Sequence, residues 1–158
     1  MRLPTLAAAL IAGAVIATPA AAASCDDPFV GVWQLDLENS EFSAGAGVTR
    51  KTLIFSEVEA GMLITEAVVT DKGETIVYRI PFTYDGGFVA QNANPNYDEL
   101  AVERVDPRTL SSTLKLRGRI VGKARQHIAA DGKSMEFTSE LDLPSGGVAR
   151  QSSLFRRF

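Results

Sequence analysis

Cysteine and histidine each occur once in this 158-residue chain, as Cys25 and His127. One cysteine excludes an intramolecular disulfide, so the folded chain has to rest on its core. One histidine leaves no set of imidazole and thiolate ligands for zinc or a redox metal. Neither a metal nor any other cofactor is expected. A strong charge of one sign is also missing. The 16 basic residues face 19 acidic ones, and Arg2 is the single charge among the first 23 residues. The remainder of the chain is mildly acidic, and no general affinity for nucleic acid is expected. There is no apolar run of about 20 well-packed residues to span a bilayer. Leu6 to Ala17 is shorter and rich in Ala and Gly.

That run has a different reading. Arg2, the apolar stretch Leu6 to Ala17, Pro19 and the small residues Ala20 to Ser24 form the charged, apolar and small-residue regions of a secretory signal. Residues 1–23 are expected to be removed after Ala23, leaving 24–158 as a single domain in a periplasmic or secreted location. Ala22-Ala23-Ser24-Cys25 also approximates the box that precedes a lipidated cysteine, without the Leu-like residue usual three positions before it. An anchor through Cys25 is the alternative destination, and membrane contact is expected only by that route.

From Pro28 onward the dominant pattern has period two, with turn residues every eight to twelve positions, which marks an antiparallel sandwich or barrel. The strands are expected at about Val30–Leu37, Thr49–Glu57, Met62–Thr70, Ile76–Tyr84, Phe88–Ala90, Tyr97–Val105, Leu110–Arg117, Arg119–Ala129, Ser134–Leu143 and Val148–Phe158. A loop is expected over Glu38 to Gly47, with Phe42 plugging one end. Asp71-Lys72-Gly73-Glu74 reads as a hairpin turn in which Gly supplies positive φ. Pro81 cannot donate to a ladder, so its strand belongs at an edge or a break. No interval is long or periodic enough for a substantial helix. The fold class expected is all-β, an antiparallel up-and-down barrel of about eight to ten strands closed between the first strand and the last.

The first strand carries Gly31-Val32-Trp33-Gln34-Leu35, and this Gly-x-Trp signature resembles that of the calycin barrels, which include lipocalins, fatty-acid-binding proteins and avidin. Ser40 with Phe42, Tyr84-Asp85-Gly86, Asn94-Pro95-Asn96 and Asp131-Gly132-Lys133-Ser134-Met135 extend the likeness to small exported bacterial lipocalin-like proteins over nearly all of 24–158. The likeness departs at Gln91-Asn92-Ala93, where the approach to the Asn-Pro-Asn is less glycine-rich. The resemblance implies that Trp33 closes one end of the barrel under an Arg of the last strand, Arg156 or Arg157. The structural set is taken as Gly31, Trp33 and Arg156. It implies a fold and no activity.

Candidate sites emerge from shared faces. Ile76, Tyr78, Ile80, Phe82 and Tyr84 alternate on one face, joined in a barrel by Leu114, Leu116, Met135, Phe137 and Leu141. Small residues at Gly122, Ala124, Ser139 and Ser152 would leave space opposite. Arg150 alternates with Val148, Ser152 and Leu154, and Arg104 with Leu100 and Val102; a buried base needs a partner, either a ligand carboxylate or an internal acid. The ligand-binding set is therefore Tyr78, Phe82, Tyr84, Phe137 and Arg150, around a small apolar or amphipathic molecule. The competing reading is a filled barrel that serves as a structural or interaction module of the cell envelope. Catalytic residues are not assigned. His127 reads as a strand residue, since nothing local suggests a strained nucleophile turn. Asn92, Asn94, Asn96 and Asp98 copy the spacing of a calcium loop, but Tyr97 stands where glycine is needed and a self-bonded turn is the better account. Lys115, Arg117, Arg119, Lys123 and Arg125 lack interleaved aromatics and read as a solvated face.

Overall fold

The computed structural model describes residues 27–42, 47–92 and 94–158. The expected signal segment and Cys25 lie outside the described residues. Ten strands succeed one another: β1 (Gly31–Phe42), β2 (Val48–Val58), β3 (Gly61–Thr70), β4 (Thr75–Phe82), β5 (Asp85–Ala90), β6 (Glu99–Asp106), β7 (Thr109–Leu116), β8 (Arg119–Ile128), β9 (Ser134–Asp142) and β10 (Val148–Arg157). The described residues contain no helix. All ten strands form one sheet in the order β4-β3-β2-β1-β10-β9-β8-β7-β6-β5, with every neighbouring pair antiparallel. The chain is thus an up-and-down meander curled until its first and last strands pair.

That pairing sets Trp33 opposite Arg157 and Leu35 opposite Phe155. The circle is nearly closed rather than complete, because β4 and β5 are the two edges of the sheet although they are consecutive in the chain. Pro81 explains one side of the seam. Residues of an antiparallel strand point N–H and C=O to the same side, and the Pro81 carbonyl faces the seam, where it accepts the Gln91 side-chain amide at 2.9 Å. The ladder bond that proline cannot make is the one an edge does not need. Gln91 is buried and also donates to the Val89 carbonyl at 3.1 Å, so this departure from the family-like pattern acts as a staple across the seam.

β1 runs further than its hydrophobic pattern suggests. The expected loop after Leu37 is a continuation of the strand to Phe42, with a register shift against β10 between Asp36 and Glu41. Ser40 fills the interruption: its hydroxyl donates to the Asp36 carbonyl at 2.6 Å and accepts the Leu154 N–H at 3.0 Å. A side chain replaces the missing ladder bonds, which is why a run without alternating apolar residues still holds as strand. Phe42 is half-buried and packs against the core cluster from the rim.

Inward-facing residues form successive layers along the barrel axis. One end is solid: Phe29, Trp33, Phe55, Phe82, Ile128 and Phe155 are almost wholly removed from water. Further along the strands, Val48 and Leu141 are only partly buried against the core cluster.

Candidate functional site

The barrel floor is built around Trp33, which is fully buried and donates its indole N–H to the Phe29 carbonyl at 2.8 Å. The Arg157 guanidinium lies 4.3 Å from the centre of the Trp33 ring. It also donates to the carbonyls of Val30 and Gly132, each at 2.9 Å, and to that of Pro28. Gly31 is required here by its backbone, with the contact adding to the demand. Its φ is +134°, and a Cβ there would stand 2.9 Å from Arg157 Nη1. Arg156 is corrected as the covering residue: strand alternation turns it outward, where it pairs with Asp36 at 3.2 Å. Asn39, and then Arg156, hold the Asp36 carboxyl below the usual carboxylate range.

Above the floor is a cavity of about 90 Å³. Its walls are mainly apolar, including Leu53, Ile64, Ile80, Phe82, Leu100 and Phe137, with Ser112 and Gln126 among the polar groups. Two charged side chains line it, Lys51 and Glu66, with Lys51 Nζ 2.8 Å from Glu66 Oε1. Their side chains keep only 13% and 18% of their exposure, so the ion pair is largely withdrawn from water. Lys51 shares the face of Leu53 and Phe55, and Glu66 that of Ile64 and Val68, because alternate residues of a strand point the same way. Tyr97, also in the wall, is buried, and its phenol is pushed up to about 12, first by burial and then by the charge of Glu66.

No protein family and no curated protein matches the chain in sequence. Solved structures do match. The extracellular fatty acid binding protein As-p18 is 12% identical over 84% of this chain and 97% of its own length, with a TM-score of 0.52. Zebrafish ileal bile acid-binding protein in complex with cholic acid gives 10%, 83%, 99% and 0.48, and the siderocalin Ex-FABP gives 10%, 83%, 74% and 0.41. The fold is of the calycin type. At such identities the likeness concerns the fold alone.

Within this barrel the expected ligand-binding residues come together only in part. Phe82 and Phe137 line the cavity. Tyr78 stands opposite Glu66 in the β3–β4 ladder and is half-buried against the core, beside Gln91, Asn94 and Tyr97 and outside the cavity wall. Tyr84 is corrected: β4 ends at Phe82, and the Tyr84 hydroxyl turns to the floor to donate to Asp27 at 2.6 Å. Its phenol is held well above the usual range, by burial first and by the Asp27 hydrogen bond next. Arg104 stacks 3.8 Å from the centre of the Tyr84 ring and pairs with Asp27, so the internal acid, and not a ligand, answers that arginine. Arg150 is corrected as well. It shares the outer face with Ser152 and Leu154, is exposed, and meets Glu140 at 3.0 Å. It borders a wide, shallow groove of about 730 Å³ on the outside of the barrel. Ser152 is also on that outer side, so it leaves no space in the lumen. Ile76 is 40% exposed and does not join the wall.

Other candidates resolve into structure. His127 Nδ1 lies 2.9 Å from the Thr109 hydroxyl in the β7–β8 ladder. The Asn94 side chain accepts the Asn96 N–H at 2.9 Å, which is turn chemistry, and Asp98 accepts the Arg117 N–H at 2.8 Å, tying this loop to the β7–β8 turn. Lys123 and Arg125 are exposed on the outer face, and Lys115 lies 3.4 Å over the Phe88 ring. Sequence reasoning missed Lys51 and Glu66. The signal was present as a charged residue in step with buried apolar neighbours on each of two adjoining strands.

Proposed function

We propose that this chain is an exported carrier that holds one small amphipathic molecule in the barrel lumen, without catalysing a reaction. The observation that carries this reading is the Lys51–Glu66 pair facing an apolar-walled cavity. An interior whose only task is to pack gains little from a desolvated ion pair, which often does no better than hydrophobic residues of the same volume. Apolar walls with a few convergent polar groups are, by contrast, the usual make-up of a ligand site. The calycin fold supports the reading, since a barrel of roughly this strand number is just wide enough to pack solid or hold one ligand. The cavity of about 90 Å³ is well under the roughly 300–1,000 Å³ common for ligand pockets. A short chain therefore fits better than a long one. The same small volume favours the second reading, a filled barrel that meets another envelope protein through its outer face.

Titration of the purified protein with short alcohols, acids and amides, followed by amide chemical shifts in NMR, separates the two. The carrier reading expects saturable shifts at Leu53, Ile64 and Phe137, abolished in Ala124→Leu, which fills the lumen. Absence of saturable shifts in the folded wild type leaves the interaction module. Export belongs to the same proposal and rests on the pattern of residues 1–23. Mass spectrometry of the protein recovered from cells is expected to find a chain beginning at Ser24. A chain retaining Met1 to Ala23 overturns export by cleavage at this site, and a lipid-modified Cys25 as first residue selects the anchored alternative.

A further inference from the structure

We infer that the lumen selects an uncharged, hydrogen-bonding head group, such as an alcohol or amide, against both carboxylates and amines. This inference rests on the carrier reading and specifies its ligand. Lys51 and Glu66 are the charged side chains lining the cavity, and they are in contact at 2.8 Å. Together they present no net charge to a guest. A ligand carboxylate approaching Lys51 meets Glu66 at nearly the same distance, and an ammonium approaching Glu66 meets Lys51. In a site with little water such like-charge contacts are poorly screened and act against the wrong partner. The other polar groups around the cavity, Ser112, Gln126 and Tyr97, are uncharged and cannot compensate either ion.

A neutral head group meets no such conflict. An ammonium carries three donors and a carboxylate about four acceptor sites, and the contact at Glu66 Oε1 uses one of each. The pair therefore keeps the capacity to donate to and accept from one hydroxyl or amide. Ser112 and Gln126 extend that capacity on the opposite wall. The pair is still partly exposed, at 13% and 18%, so the head group lies on the side nearer water and the alkyl chain points toward Leu53, Ile64 and Phe82.

The test compares three probes with the same six-carbon chain, hexanol, hexanoate and hexylammonium, titrated at neutral pH and followed by NMR. Wild type is expected to bind hexanol at least roughly ten-fold tighter than either ion. Glu66→Gln is expected to raise the ratio of hexanoate to hexanol affinity about ten-fold, and Lys51→Gln to raise the ratio of hexylammonium to hexanol affinity by a similar factor. Wild-type protein that binds hexanoate as tightly as hexanol overturns the inference and leaves the carrier reading standing. Failure of all three probes to bind folded wild-type protein overturns the carrier reading itself. Should either variant not fold, the wild-type comparison alone decides.

Discussion

Replacing Lys51 by Met leaves Glu66 facing an apolar cavity, and the cost can be worked from the geometry. At 2.8 Å and an effective dielectric near 20, the attraction between the two charges is about 6 kcal/mol. Desolvation of two ions, several kcal/mol each, offsets most of it. The intact pair is therefore close to neutral for stability, whereas removing one partner of a buried pair typically costs about 3–5 kcal/mol. Here both side chains keep some exposure, 13% and 18%, so water reaches the orphaned ion and about 2–3 kcal/mol is the better figure. For a domain of this length that lowers the melting temperature by roughly 5–12 °C. Lys51→Met and Glu66→Leu should each show such a loss. The double variant should lie within about 1 kcal/mol of wild type, because it removes both charges and fills the same space. Urea unfolding read by Trp33, the only tryptophan, gives all four stabilities. Single losses below about 0.5 kcal/mol, or a double variant whose loss is the sum of the singles, refute a coupled desolvated pair.

Trp33→Ala removes the floor's largest side chain and should cost about 3–5 kcal/mol, measured by urea unfolding followed by circular dichroism; an unchanged midpoint places the floor elsewhere. Arg157→Ala should destabilise by about 1–3 kcal/mol through the lost stacking and carbonyl contacts, while the exposed Arg156→Ala stays within about 1 kcal/mol of wild type; equal losses contradict the register. Tyr97 makes the protein alkali-sensitive. The folded state keeps its proton up to about 12, whereas the unfolded chain releases it near 10.0, so its contribution is complete below pH 10 and lost as pH rises through 12. That loss amounts to about 3 kcal/mol, and Tyr97→Phe should show a shallower alkaline decline in thermal melts.

The fold was legible because period-two alternation and turn residues act locally, and each strand could be read without knowing its partners. Gly31 and Trp33 were legible for a related reason. Their spacing places them on one face and matches the Gly-x-Trp signature, and the glycine holds a φ of +134°. The register of β10 was not legible, since Phe155-Arg156-Arg157-Phe158 offers an arginine to each face and only pairing with β1 shows that Arg157 is the one on the Trp33 face. Arg150 failed for the same reason: apolar neighbours on its face suggested burial, but that face is the outer one. Tyr84 was misplaced because the chain bends just after Phe82. A period-two pattern carries no information about where a strand stops pairing.

The missed pair at Lys51 and Glu66 shows what a one-strand reading leaves out. On β2 alone a lysine beyond Leu53 looks like a strand end turning to solvent. On β3 alone Glu66 looks like a polar interruption between Ile64 and Val68. The β2–β3 ladder sets Leu53 opposite Glu66 and Lys51 opposite Val68, so that the two charges become diagonal neighbours on the inner face. Two local exceptions to the apolar pattern thereby satisfy each other across the sheet, beside the cavity above the floor. An exception on one strand is most economically explained by solvent, but two that meet inside a barrel need either mutual neutralisation or a guest. The cavity beside them makes room for the second without removing the first.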